Sequence, residues 1–356
     1  MLSATYSPYT LYFREPGGTS RGIMTTRTVW YLFITDSDQP NRIGIGECAP
    51  LPGLSCDDLS EYEPVLKNVC NNIRIYIENP ELLTDFPSIR FGVEMAWVDY
   101  QNGGIRNLFP SEFTEGNAAI RINGLIWMGS QKEMIRRISH KLEAGFTCLK
   151  MKIGAIDFEK EYSLLQNLRS SFSVKELELR VDANGAFGFE DAINKLEKLA
   201  SLDIHSIEQP IKAGKWDEMS ALCARNLLPI ALDEELIGIH DTQERQQLLD
   251  YISPQYIILK PSLTGGFKSS SEWIRLAEER GIAWWITSAL ESNIGLNAIA
   301  QWSYLRHNLL PQGLGTGQVF MNNIPSRLRL AGELLYLNPN MPLPKDYGFI
   351  IHNNQK

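Results

Sequence analysis

The sequence predicts an α/β chain in two parts: an N-terminal α+β module, then a run of βα units forming a parallel sheet that closes into a barrel. Three observations predict it. From residue 118 onward, apolar strands recur whose last residues fall at 123, 152, 182, 208, 233, 260 and 288. That spacing holds a strand, two loops and an amphipathic helix. Before it, the first hundred residues read as strands followed by helices, the order of an α+β module. Between the two, residues 103–116 are polar and broken by Gly and Pro, which marks a boundary. A length of 356 residues suits two domains, or one large barrel with an attachment.

In the first part, residues 5–14 alternate as a strand does. Residues 28–35, TVWYLFIT, are β-branched and aromatic, residues 36–42, DSDQPNR, form a turn cluster, and residues 43–48 return as a third strand. The expectation is an antiparallel meander. Residues 59–77 then set Leu59, Tyr62, Leu66, Val69, Ile73 and Ile77 on one helical face, and residues 89–100 form a second helix.

In the second part the expected strands are 119–123, 147–152, 178–182, 205–208, 230–233, 256–260 and 283–288, with an eighth element at 313–316. Residues 132–144, 158–172, 190–199 and 270–280 carry apolar residues at helical spacing. Gly145 and Gly281 follow two of these segments as C-cap signals.

Composition narrows the function. Hydrophobic residues at 44% and charged residues at 21% are ordinary for a globular protein. A net charge of -8 repels phosphate backbones and argues against nucleic acid as a partner. No apolar run approaches the ~20 residues that span a bilayer, so no membrane partner is expected. Residues 1–13 have neither a basic nor an apolar leader region, which leads us to expect no signal peptide and a cytoplasmic location. Cys48, Cys56, Cys70, Cys148 and Cys223 are odd in number and form no CxxC, a pattern of packed thiols rather than of zinc ligands or disulfides. Oligomeric state is open.

A parallel barrel carries its chemistry at the C-terminal ends of its strands. Here those ends are Lys150 and Lys152, Asp182, Glu208, Asp233, Lys260 and Ser288. Asp182, Glu208 and Asp233 come from three consecutive strands. Hard oxygen ligands with no His or Cys beside them suit Mg²⁺, with Mn²⁺ as a substitute. The plain alternative for Asp182 or Asp233 is a cap on the next loop. Lys150 and Lys152, two apart on a strand, point to one side, and apolar Leu149 and Met151 suit the helix layer. Both lysines are therefore expected at the barrel mouth, with Lys260 across from them. The plain alternative is solvated surface lysines. A second ammonium and a metal nearby would lower a lysine's pKa toward a working range. Two glycine-rich stretches, 16–22 and 50–55, are expected to hang over the mouth and exclude water, with plain turns as the alternative.

At these residues the chain resembles the enolase superfamily. Lys150-Met151-Lys152 is similar to the K-x-K of its muconate-lactonising subgroup. The resemblance implies an N-terminal α+β capping domain over residues 1–115 and a modified (β/α)7β TIM-type barrel over 116–317. It also implies a segment, 318–356, that returns to the cap. It makes Lys152 an acid/base and Lys260 the lysine of the opposite face, with Lys150 completing the catalytic set. Asp182, Glu208 and Asp233 become metal ligands, and Glu234 and Asn184 second-sphere groups. Ser20, Arg21, Ser288 and Asn184 fall where substrate would be held.

Within the subgroup, four segments resemble the o-succinylbenzoate synthase family: 18–22 (GTSRG), 46–55 (GECAPLPGLS), 287–295 (TSALESNIG) and 313–317 (GLGTG). That implies a Mg²⁺-dependent lyase of menaquinone biosynthesis acting on a small carboxylate. The same activity occurs beside N-acylamino acid racemisation, so a racemase or epimerase is the alternative, with a non-catalytic barrel as the other. Dipeptide epimerases typically carry Asp-x-Asp after the seventh strand; residues 287–295 contain no aspartate.

Overall fold

The structure, a computed structural model, describes residues 1–19 and 22–344. The N-terminal strands β1 (Leu2–Thr19), β2 (Gly22–Asp36) and β3 (Gln39–Cys48) form the expected antiparallel meander, in the order β1-β2-β3. The strands are longer than the sequence pattern indicates. Gln39 pairs with Asp36, so the turn cluster shrinks to residues 37 and 38.

The helix expected over 59–77 is two, α1 (Tyr62–Asn71) and α2 (Ile73–Glu78). Asn72 interrupts them outside helical geometry, its side chain turned back onto the Asn68 carbonyl, the local competition for which Asn is a poor helix interior. Tyr62, Leu66, Val69 and Ile73 are buried as the pattern requires, while Leu59 stands before the helix and is exposed. α3 (Pro87–Gln101) lies directly on β3. A Cβ on Gly46 would come within 1.9 Å of the Gly92 carbonyl oxygen, and one on Gly92 within 2.2 Å of Cys48 Sγ, so only glycines permit this approach.

The second part is a seven-stranded parallel sheet in sequence order: β5 (Gly124–Ile126), β6 (Cys148–Lys152), β7 (Glu178–Asp182), β8 (Ser206–Glu208), β9 (Ile230–Leu232), β10 (Tyr256–Leu259) and β11 (Ala283–Ile286). Helices α4 (Gln131–Glu143), α5 (Phe158–Ser171), α6 (Phe189–Ala200), α7 (Trp216–Arg225) and α8 (Thr242–Ile252) alternate with the strands. The short α9 (Pro261–Thr264) and then α10 (Gly266–Glu278) follow β10. Gly145 and Gly281 have φ of 84° and 68°, the left-handed conformation of a C-terminal stop.

Residues 312 and 313 join the sheet's two edges. Gly313 N–H donates to the Ile286 carbonyl at 2.8 Å, and Gln312 N–H to that of Arg121 at 2.8 Å. The eighth element thus begins one residue before the expected 313–316 and passes at once into a 3₁₀ turn, Gly315–Gln318. α11 (Asn293–Tyr304) precedes it.

One strand is corrected. Of the expected strand 119–123, only residues 122 and 123 enter the barrel, beside Gln312; residues 119–121 belong to another sheet. β4 (Ala119–Arg121) pairs antiparallel with β13 (Leu334–Leu337), which pairs with β12 (Leu328–Ala331). The barrel starts at β5, where a Cβ on Gly124 would stand 2.8 Å from Leu149 Cδ2. The apolar pattern runs unbroken through Ile120, Ile122 and Leu125, so periodicity alone cannot show where the chain leaves one sheet for the next. After the barrel, residues 319–321 run beside β1: Arg14 N–H donates to Val319 O and Met321 N–H to Tyr12 O, both at 2.8 Å.

Candidate active site

The strand ends converge at one level because the parallel register sets them side by side. Lys152 pairs with Asp182, and Asp182 with Glu208. Asp233 and Lys260 each stand one residue past their strands, β9 and β10. Leu149 and Met151 are buried on the opposite side of β6, so the two lysines share the inner face as expected.

Charge pairing organises the centre. Lys150 Nζ donates to Glu208 Oε2 and lies 2.9 Å from Asp182 Oδ2. Lys152 Nζ reaches the same Asp182 oxygen at 3.0 Å, and Lys260 Nζ donates to Asp233 Oδ2. Asp182, Glu208 and Asp233 are almost wholly buried. Burial opposes the charge on Asp182, but Lys150, Lys152 and Lys260 outweigh it and hold the carboxyl far below its usual range. Burial and the neighbouring Asp182 push Glu208 well up. Burial would pull Lys150 and Lys260 down, yet the facing carboxylates, Asp182 and Glu208 for Lys150 and Asp233 and Glu208 for Lys260, hold both above the ordinary lysine value. Acids outnumber bases around these two lysines, and their charge outweighs burial and the neighbouring ammonium groups.

Asn184 and Glu234 form the next layer. Asn184 Oδ1 accepts from Lys152 Nζ at 2.7 Å, and its Nδ2 donates to Glu234 Oε1 at 3.0 Å. Burial, with Asp233 beside it, pushes Glu234 up to about 7. Gln209, which the sequence reading passed over, sits in left-handed backbone with φ 41°. Its side chain donates to Glu235 Oε2 at 3.0 Å and accepts from Asp233 N–H at 3.2 Å, fixing the turn that presents Asp233. Its place between Glu208 and Pro210 was the available signal.

A cavity opens onto Lys150, Lys152, Asp182 and Lys260, walled on one side by residues 287–290 and roofed by Leu51 and Leu54. The 50–55 stretch therefore does lie over the mouth. Of the 16–22 stretch, Gly17 packs toward Trp127, whereas Ser20 and Arg21 lie outside the described residues. Ser288 lines the cavity, but its hydroxyl is committed to the wall. It donates to Glu291 Oε2 at 2.6 Å and accepts from Thr316 Oγ1 at 2.8 Å and Leu290 N–H at 3.1 Å. One donor and two acceptor places are all a serine hydroxyl has.

The donor set fits a hard divalent cation. Three buried carboxylates come from adjacent strands, and Glu208 Oε1 is buried with no hydrogen-bond partner. As they stand these groups form ion pairs with lysines, and no three acidic, His or Cys groups among the described residues are close enough together to hold an ion.

Buried acids and lysines gather at the C-terminal mouth of a barrel, under an N-terminal α+β cap, where barrel enzymes that act on small molecules carry their chemistry. The chain belongs to the enolase superfamily: residues 133–349 match the family described as enolase C-terminal domain-like. Enzymes of this superfamily use a divalent metal. The chain is 45% identical, over 94% of its length and 98% of the relative's, to o-succinylbenzoate synthase of Desulfotalea psychrophila. The crystal structure of MenC from Desulfotalea psychrophila superposes with a TM-score of 0.83 at 43% identity, covering 94% of this chain and 99% of that one. The L-Ala-D/L-Glu epimerase of Bacillus subtilis shares the fold, with a TM-score of 0.79 at 21% identity over 94% of this chain and 95% of that one.

Proposed function

We propose that this protein is an o-succinylbenzoate synthase, a lyase that removes water from 2-succinyl-6-hydroxy-2,4-cyclohexadiene-1-carboxylate in menaquinone biosynthesis. The observation that carries the reading is the 45% identity across nearly the whole of a relative bearing that name. The Lys152, Asp182, Glu208, Asp233 and Lys260 centre supports it chemically. Mg²⁺, held by Asp182, Glu208 and Asp233, would neutralise the substrate carboxylate as the adjacent proton leaves.

The protein's own groups do the rest. Lys152 takes the proton next to the ring carboxylate and returns it to the departing hydroxyl, which makes a single base sufficient when both leave from one face. Lys260, held cationic by Asp233, stabilises the developing negative charge from the other side. Lys150 ties Asp182 to Glu208. Asn184 orients Lys152, and Leu51 and Leu54 keep water from the centre. Residues 1–115 serve as cap and residues 116–317, apart from β4, as barrel; of 318–356, residues 319–321 return to the cap beside β1. Ser20 and Arg21 hold substrate, and the protein works in the cytoplasm. The unpaired state of all five cysteines supports that location.

The test is direct. Purified protein with Mg²⁺ and the cyclohexadiene substrate should show ultraviolet loss of the diene and formation of o-succinylbenzoate. Failure to turn over, with racemisation of an N-acylamino acid instead, would overturn the reading.

A further inference from the structure

Two fully buried charged groups stand beside the cavity without touching its acids or lysines: Glu291, just past the 287–290 wall, and Arg27, on β2 of the cap. Both act on the peptide at Ala289. Glu291 Oε2 accepts the Ala289 N–H at 2.8 Å, and the Arg27 guanidinium donates to the Ala289 carbonyl. Arg27 also donates to the Ala49 carbonyl at 2.6 Å, where the chain enters the 50–55 roof. One cap side chain thus links the roof of the cavity to its wall. The next residue, Leu290, lines the cavity in left-handed backbone with φ 66°, a conformation a leucine keeps only when its surroundings impose it.

Glu291 has a second arm. Its Oε1 accepts the hydroxyl of Ser262, and its Oε2 that of Ser288. Ser262 lies two residues beyond Lys260 in α9, whose first turn is tied to Lys260 by Leu263 N–H and Thr264 N–H bonding to the Lys260 carbonyl. A single carboxylate therefore connects the turn carrying Lys260 with the adjacent 287–290 wall, which follows the neighbouring strand β11. Its three donors, two hydroxyls and an amide, fit a carboxylate, whose two oxygens accept about four hydrogen bonds, but exceed the roughly two that the single acceptor oxygen of an amide side chain can take.

We propose that Glu291, clamped against the cap by Arg27, is a positioning residue that sets two parts of the site separately: Lys260 through Ser262, and the binding wall through Ser288 and Ala289. The kinetic part of this inference rests on the dehydration reading above; the structural part does not.

The experiment compares Glu291→Gln, Ser262→Ala and Thr316→Val, each as the full chain. Ser262→Ala cuts only the Lys260 arm and should lower kcat about tenfold, with KM within twofold. Thr316→Val removes the donor to Ser288 and should raise KM several-fold, with kcat within twofold. Glu291→Gln should show both effects. A merely structural Glu291 would lower the melting temperature and leave both constants of the folded fraction unchanged, which would overturn the proposal. So would a Ser262→Ala variant with wild-type kcat.

Wild-type turnover of the diene, measured alongside, tests the dehydration reading on its own. Should that reading fail, amide hydrogen exchange of the substrate-free protein still decides. Glu291→Gln should speed exchange at Ala289, Leu263 and Thr264 about tenfold while leaving α8 unchanged. Should Glu291→Gln not fold, Ser262→Ala should speed Leu263 and Thr264 alone. Exchange unchanged at those amides would overturn the clamp.

Discussion

Asn184 accepts the Lys152 ammonium at 2.7 Å from a backbone in the left-handed region, φ 44°. The same side chain donates to Glu234, so an amide on one loop fixes a lysine on β6 and an acid beyond β9 at once. Asn tolerates that backbone better than other side chains do, which makes two effects separable. Asn184→Ala should lose roughly 1 kcal/mol of stability to backbone strain and about tenfold in kcat. Asn184→Gly should recover the stability but not kcat. Melting curves and steady-state kinetics on both variants check this.

The lysines should differ. Lys152→Ala and Lys152→Arg should both lose turnover by ~10²–10⁴-fold, the usual worth of a general base, since a guanidinium does not give up its proton. Lys260, held as a cation by Asp233 and Glu208, should act through charge. Lys260→Arg should therefore retain more activity than Lys260→Ala. If the two are equally inactive while folded and metal-bound, Lys260 transfers protons and a racemase assignment gains.

Metal dependence follows from the carboxylate trio. Chelation should abolish activity, and added Mg²⁺ should restore it. Asp182→Asn, Glu208→Gln and Asp233→Asn should each weaken Mg²⁺ binding measurably by calorimetry. Full activity after chelation would defeat the metal assignment.

Glu47 predicts a pH effect remote from the centre. Burial pushes its carboxyl up to about 7, although Ser292 and Gly295 donate to it. The folded state then keeps a proton that the unfolded chain releases near pH 4.5. This contribution is present below pH 4.5 and is lost as pH rises through 7. It amounts to about 3 kcal/mol at most. Stability measured from pH 4.5 to 8 should fall with rising pH, and Glu47→Gln should reduce that slope by one proton.

Reading the sequence located the centre because its signals are local. Lys150 and Lys152 share a face by strand parity, and each of Asp182, Glu208, Asp233 and Lys260 closes an apolar run. The regular spacing of those runs implied a parallel barrel. What escaped the reading depends on contacts distant in sequence. Ala119–Arg121 has the pattern of a barrel strand yet pairs with Leu334–Leu337, more than 200 residues away. Glu291 and Arg27 carry no local signal, and only the fold places Ala289 between them.

By itself, then, the sequence determined the order of elements, the inward face of the strand carrying Lys150 and Lys152, and the acids and lysines at the strand ends, since alternation and spacing act over a few residues. The tertiary structure alone decided which charges meet and how they shift one another. It set Lys150 between Asp182 and Glu208 and Lys260 against Asp233, and those carboxylates hold both lysines above the ordinary value. The physical reason is that a buried group's charge state depends on the sum of its neighbours at a few ångströms, and those neighbours come from different strands.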